Sequence, residues 1–84
     1  MDHHSLKLNN YERNVAKGFN LGISQVRIRD KKEIEAKIQD VLNVQSKAAY
    51  HNYRTGRQQL KVDQALEIEQ IFKEYGIKDV WGNA

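Results

Sequence analysis

Apolar positions recur at helical intervals in two long stretches and one short stretch of this 84-residue chain. Ile34, Ile38, Val41 and Leu42 fall on one stripe about 100° wide, which predicts an amphipathic helix over about 31–42. Asp30 and Glu33 stand ahead of it with the spacing of a capping box, with Asp in place of Ser or Thr. Ala65, Ile68, Ile71, Phe72 and Tyr75 share a face while Glu67, Gln70 and Glu74 face water, which predicts a helix over about 63–75 capped by Asp63. Gly76 stands where a left-handed helix cap is expected, with Ile77 beyond it placed to touch Phe72. Tyr11, Val15 and Phe19 recur every four residues and predict a further short helix over about 10–19, capped by Asn10. Gly22 then reads as a turn, and Gln25–Arg29 alternates, with Val26 and Ile28 on one side of an expected extended segment. Leu60 and Val62 are the expected anchors of a connector, and Trp81 is expected to fold back onto the core.

The stretch around which the rest is organised is Ser46–Gly56, SKAAYHNYRTG. It opens on a residue suited to an N-cap and closes on a glycine suited to a helix stop, which predicts a helix over about 46–55. At about 100° per residue, Ala49, Tyr50 and Tyr53 fall on one side and Lys47, Ala48, His51 and Thr55 on the other, with Asn52 and Arg54 on the flanks. The tyrosines lie at helical spacing beside Ala49 and are read as core, not as base-stacking residues. Asn43-Val44-Gln45 makes a short break before this helix, and Val44 is expected to turn inward and seal the corner.

Charge sharpens this picture. Residues 41–62 carry Lys47, Arg54, Arg57 and Lys61 and no acid, a balance of +4, whereas residues 63–84 balance at −3 and residues 1–40 at +2. A polyanionic partner would therefore meet the central helix and not the last one. Arg27, Arg29, Lys31 and Lys32 form a second basic cluster able to grip phosphates. The chain has no cysteine, which removes disulfides and thiolate metal sites and makes a reducing, cytoplasmic setting the expectation. No apolar run reaches the length of a membrane span, so no membrane partner is expected. His3 and His4 have no further ligands at metal-binding spacing, so no metal and no cofactor is expected. His51 has no nucleophile or carboxylate at an obvious spacing and there is no Gly-rich phosphate loop, so neither an enzyme nor a small-molecule substrate is expected.

Val44-Gln45-Ser46, then Tyr50, Tyr53 and Gly56, then Ala65-Leu66-Glu67-Ile68-Glu69-Gln70-Ile71-Phe72 resembles the lambda-repressor-like helix-turn-helix family. In that family a branched residue closes the turn, a Ser or Thr opens the recognition helix, and a glycine and a further helix follow. The stretch from Lys31 to Ile77 also resembles small phage- or mobile-element-type regulators of bacteria. The turn here is one residue longer than the family's usual spacing, with Asn43 where glycine is common and Gln45 extra. Only the 10–19 segment is available for the family's preceding helix.

The resemblance implies DNA-facing roles for Ser46, Lys47, Ala48, His51 and Asn52, and the helical wheel agrees on Lys47, Ala48 and His51. Asn suits adenine, Lys suits guanine, and an Ala methyl suits thymine, so Lys47, Ala48, His51 and Asn52 are the candidate base readers. Ser46, Arg54, Arg57 and Lys61 are the candidate phosphate contacts. The expectation is an all-α protein. Residues 1–29 form an N-terminal arm or accessory helix, residues 30–77 a helix-turn-helix DNA-binding domain, and residues 78–84 a tail. Its function would be sequence-specific regulation of transcription on double-stranded DNA, as a homodimer when bound. The rival expectation is a helical protein–protein interaction module that binds no nucleic acid.

Overall fold

The structure is a computed structural model that describes residues 10–82, so His3 and His4 lie outside the described residues. The described residues are all-α: α1 (Asn10–Val15), α2 (Asn20–Ser24), α3 (Ile28–Leu42), α4 (Lys47–Thr55) and α5 (Val62–Glu74). α3 and α5 pack against each other. They supply Ile34, Ile38 and Leu42 from one side and Ala65, Ile68 and Phe72 from the other, the stripes their periodicity predicts. A single core takes buried side chains from Val15 through to Trp81.

The predicted helix over 10–19 is two short helices. α1 ends at Val15, the chain turns at Gly18 with φ +79°, and α2 starts at Asn20. The four-residue recurrence still marks the inward side: Val15 and Phe19 are buried and Tyr11 packs against the core. Gly22 is not a turn but a position inside α2. A Cβ there would lie 2.9 Å from the ring of Phe72, so its bareness lets α2 and α5 touch. The Gly22 N–H donates to the Val80 carbonyl at 3.0 Å. Gln25 Nε2 donates to the Asp79 carbonyl at 2.7 Å. These two bonds tie the tail to α2, and Trp81 is buried as expected.

The alternation at Gln25–Arg29 is not an extended segment. Val26 is buried in the bend after α2, whereas Ile28 opens α3 and is 91% exposed. Ile28 lies six residues ahead of Ile34, about 240° round the helix from it, and so cannot join the apolar stripe. α3 therefore starts three residues before the expected Lys31, and Asp30 and Glu33 do not form its cap. Asp30 instead sits in the first turn, where the helix dipole favours a carboxylate. Glu33 accepts from the Tyr75 hydroxyl at 2.7 Å.

At the other end of α3, Asn43 takes a left-handed conformation (φ 56°, ψ 44°). Its N–H donates to the Asp40 carbonyl and that of Val44 to the Gln39 carbonyl, both at 3.2 Å. This is the Schellman pattern, and Asn43 performs in it the role that glycine usually fills. Val44 packs against the core as expected. α5 is capped at Lys61 rather than Asp63, with Gln64 Oε1 reaching back to the Lys61 N–H at 2.9 Å. Leu60 is buried, but Val62 is 53% exposed, because it lies on the flank of α5 and not on the face of Ala65, Ile68 and Phe72. Gly76 adopts the expected left-handed cap, and the Ile77 N–H donates to the Phe72 carbonyl at 3.1 Å.

The turn after α1 presses backbone to backbone against the end of α4. A Cβ on Gly18 would overlap the Arg54 carbonyl oxygen and lie 2.6 Å from the Gly56 nitrogen; one on Gly56, whose φ is +86°, would overlap the Ala16 carbonyl oxygen. Gly18→Ala and Gly56→Ala should each destabilise the protein by about 2–4 kcal/mol, since strain and overlap act together. Gly76→Ala has a similar φ but open space around it, and should cost only about 1–2 kcal/mol. Urea unfolding midpoints of the three variants test this order, and equal losses would show that the backbone contact contributes nothing.

Candidate nucleic-acid interface

α4 forms as its sequence predicts. Ser46 takes the extended backbone of an N-cap (φ −87°, ψ 148°) and its Oγ accepts from the Ala49 N–H at 3.1 Å. Gly56 ends the helix in the left-handed region. Tyr50 is buried, 6% exposed, with its ring 5.7 Å from that of Phe19. Tyr53 packs against the same core. Lys47, Ala48 and His51 are exposed on the opposite side.

The outward side of α4 does not stand alone. With α3 it forms an open groove of about 740 Å³, to which α4 contributes Lys47, Ala48, His51 and Arg54. α3 contributes Lys32, Glu35, Ala36 and Gln39. Asn52 is not in this groove. It is half-buried on the other flank of α4, in a shallow hollow with Val44, Ala49, Tyr53 and Gln58. Three of the four candidate base readers thus share one surface, and the fourth faces the turn. Of the second basic cluster, Arg27, Arg29, Lys31 and Lys32 are all exposed, and only Lys32 lines the groove.

The candidate phosphate contacts divide in the same way. Ser46, Arg57 and Lys61 are exposed. Ser46 uses a lone pair for capping, which leaves its O–H free to donate. Arg54 is only 27% exposed along its side chain. Its Nη1 lies 3.6 Å from Glu35 Oε2, its guanidinium sits 5.9 Å from the Tyr50 ring centroid, and its Nη2 is 3.2 Å from His51 Nδ1. The same Glu35 oxygen accepts from the Tyr50 hydroxyl at 2.8 Å. Glu35 and Gln39 are the site residues that sequence reasoning missed. The available signal was helical spacing: Lys32, Glu35, Ala36 and Gln39 fall at i, i+3, i+4 and i+7 on the face beside the Ile34 and Ile38 stripe. In the structure Glu35 and Gln39 are half-buried, while Lys32 and Ala36 are exposed. Among the described residues no group of three or more His, Cys, Asp and Glu side chains is arranged to hold a metal ion. No helix of these residues is long and apolar enough to cross a membrane.

A second concavity, of about 450 Å³, lies between α1 and the start of α5, lined by Tyr11, Val15, Leu60, Val62 and Ala65 among others. Glu12, Gln59 and Lys61 complete its lining, so it too carries charged side chains. Val62 and Leu66, on the flank of α5, add half-exposed apolar surface.

Burial first, and then its bond to Glu35, push the Tyr50 phenol well above its ordinary value near 10. Burial and the neighbouring Glu69 carboxylate do the same for Tyr11. The folded state thus holds these protons more tightly than the unfolded chain. Their contribution to stability is complete below about pH 10 and is lost as the pH rises further. Tyr50→Phe should be less stable than the wild type at neutral pH by about 1–2 kcal/mol, through loss of the bond to Glu35. Above about pH 10 its stability should fall less steeply, by up to 1.4 kcal/mol per pH unit for the one proton removed. Chemical denaturation across the alkaline range measures both, and parallel pH profiles would show that Tyr50 titrates as in the unfolded chain. Comparison with protein-family models, with curated proteins and with solved structures returned no match, so a functional assignment rests on the groove itself.

Proposed function

We propose that the protein is a sequence-specific DNA-binding regulator of transcription that places α4 in the major groove, in the manner of the lambda-repressor-like proteins its sequence resembles. The observation that carries this reading is the two-sidedness of α4. Tyr50 is buried in the core and Tyr53 packs against it, while Lys47, Ala48 and His51 stand outward along a groove that Lys32 and the Tyr50 side chain also line. Short, polar, hydrogen-bonding side chains on a firmly anchored helix suit base edges, and the surrounding cations suit phosphates. The four-residue link from Leu42 to Lys47, with Asn43 in a left-handed cap, is short enough for α3 and α4 to act as one unit. Lys47, Ala48 and His51 are the proposed base readers in the groove, with Asn52 a fourth from the other flank of α4, and Ser46, Arg57 and Lys61 on the phosphates. Two copies would meet half-sites about 34 Å apart, as such regulators commonly do.

The rival reading, a helical module that docks another protein, has the exposed Val62 and Leu66 beside the α1–α5 concavity in its favour. Salt separates the two. Affinity that rests on several phosphate contacts falls steeply as salt rises, whereas apolar docking does not weaken.

Selection of bound duplexes from a random pool at two salt concentrations should yield a defined site. On that site, Lys47→Ala and Asn52→Ala should lose discrimination worth about 1–3 kcal/mol at single base pairs. Arg57→Ala should weaken binding to all sequences alike and reduce the salt slope by about 0.9. Equal losses for Asn52→Ala on the selected and on random duplexes would remove Asn52 from the base readers. One chain per duplex in ultracentrifugation would remove the dimer.

A further inference from the structure

Arginine has five N–H donors and no acceptor, and it stays charged in proteins. The 3.2 Å contact between Arg54 Nη2 and His51 Nδ1 therefore has one polarity: the guanidinium donates and Nδ1 accepts. A neutral imidazole whose Nδ1 accepts carries its hydrogen on Nε2. Arg54 itself is held in place by Glu35, whose carboxylate oxygen lies 3.6 Å from Nη1, and by the face of the Tyr50 ring. Glu35 is fixed in turn by the buried Tyr50 hydroxyl. The chain of contacts thus runs from the core through Tyr50 and Glu35 to Arg54, and ends on an exposed histidine in the groove.

We propose that Arg54 is a positioning residue that fixes His51 as a hydrogen-bond donor through Nε2, so that α4 reads at this point a base with acceptors in the major groove, guanine above all, and rejects cytosine. This rests on the reading of α4 as a major-groove helix. Guanine offers O6 and N7 there, whereas cytosine offers only its amino donor. A donor of fixed tautomer meets the first favourably and confronts the second with a like group. Arg54 then acts on His51 and not on a phosphate: two of its nitrogens face Glu35 and His51, and its Nε is buried without a hydrogen-bond partner.

The test has one arm without DNA and one with it. In the DNA-free full chain, ¹⁵N NMR of His51 at an alkaline pH where imidazole is neutral should show one tautomer, with Nε2 protonated and Nδ1 accepting. Arg54→Leu keeps the apolar stem over Tyr50 and should release the ring into a mixture of tautomers. Arg54→Lys, which keeps a donor, should restore part of the wild-type signature. Glu35→Gln keeps an acceptor for Tyr50 but drops the charge on Arg54, and should move the His51 signals in the same direction as Arg54→Leu. A circular dichroism spectrum matching the wild type shows that each variant folds.

On the selected duplex, Arg54→Leu should reduce the preference for guanine over cytosine at one base pair about tenfold, leaving other positions alone. Its salt slope should equal that of the wild type. A slope lower by about 0.9 would make Arg54 a phosphate contact and overturn the proposal. An Nδ1-protonated His51 in the free wild type would overturn it as well, whatever the DNA result. Absence of any salt-dependent duplex binding would overturn the DNA reading and the donor's use together, while the NMR arm would still report whether Arg54 fixes the ring.

Discussion

Phe19 has no exposed surface, and its ring lies 5.7, 6.3 and 6.5 Å from those of Tyr50, Phe72 and Trp81. These three partners come from α4, α5 and the tail, and Phe19 itself from the junction of α1 and α2. Tilted and edge-on aromatic pairs at these distances are each worth about 0.5–1.5 kcal/mol beyond the area they bury. In a chain of 84 residues, where folding buries a modest fraction of the surface, one ring that joins four segments carries a large share of their mutual order. The pair on α4 has a further consequence. Tyr50 lies against Phe19 and so sets which way the other side of α4 looks.

The neighbouring Gly18 completes that constraint at the level of the backbone. Phe19 fixes the rotation of α4 through Tyr50, and the contact of Gly18 with Gly56 fixes how closely the end of α4 approaches the α1–α2 turn. Both depend on a segment that is poor in regular structure. The tail acts in a comparable way from the opposite end. Trp81 donates its Nε1–H to Glu69 at 2.6 Å while its ring meets Phe19, so α5 is tied to the aromatic cluster by a polar and an apolar contact at once.

The parts of this fold that were legible in the sequence are those decided by local rules. α4 is bounded by a serine cap and a glycine stop, and its two faces follow from residue spacing alone. α5 and the body of α3 follow from their apolar stripes. What local rules missed was decided by contacts between distant residues. The start of α3 obeyed no cap: Asp30 and Glu33 matched a capping spacing, but Val26 needed burial after α2, and the helix began as soon as the chain had turned. Gly22 looked like punctuation, and only the ring of Phe72, fifty residues on, explains it. The candidate site divided along the same line. The exposure of Lys47, Ala48 and His51 could be read from a wheel, whereas the engagement of Arg54 required knowing that Glu35 of α3 faces it.

A carboxylate in a groove proposed to meet a polyanion looks like a flaw, and the geometry explains its presence. Arg54 is about three-quarters buried along its side chain, and a guanidinium so placed without a counter-charge would be costly, because desolvation is not offset. The buried Tyr50 hydroxyl needs an acceptor for the same reason. Glu35 answers both needs with one oxygen. The charge it brings cancels one cation of the groove, and Lys32 and Lys47 remain exposed. The local field is thereby weaker than the count of basic residues implies. A helix that relied on charge alone would hold every duplex equally. In the proposed reading, an arginine that orients a hydrogen-bond donor serves discrimination between bases, in exchange for part of the general affinity.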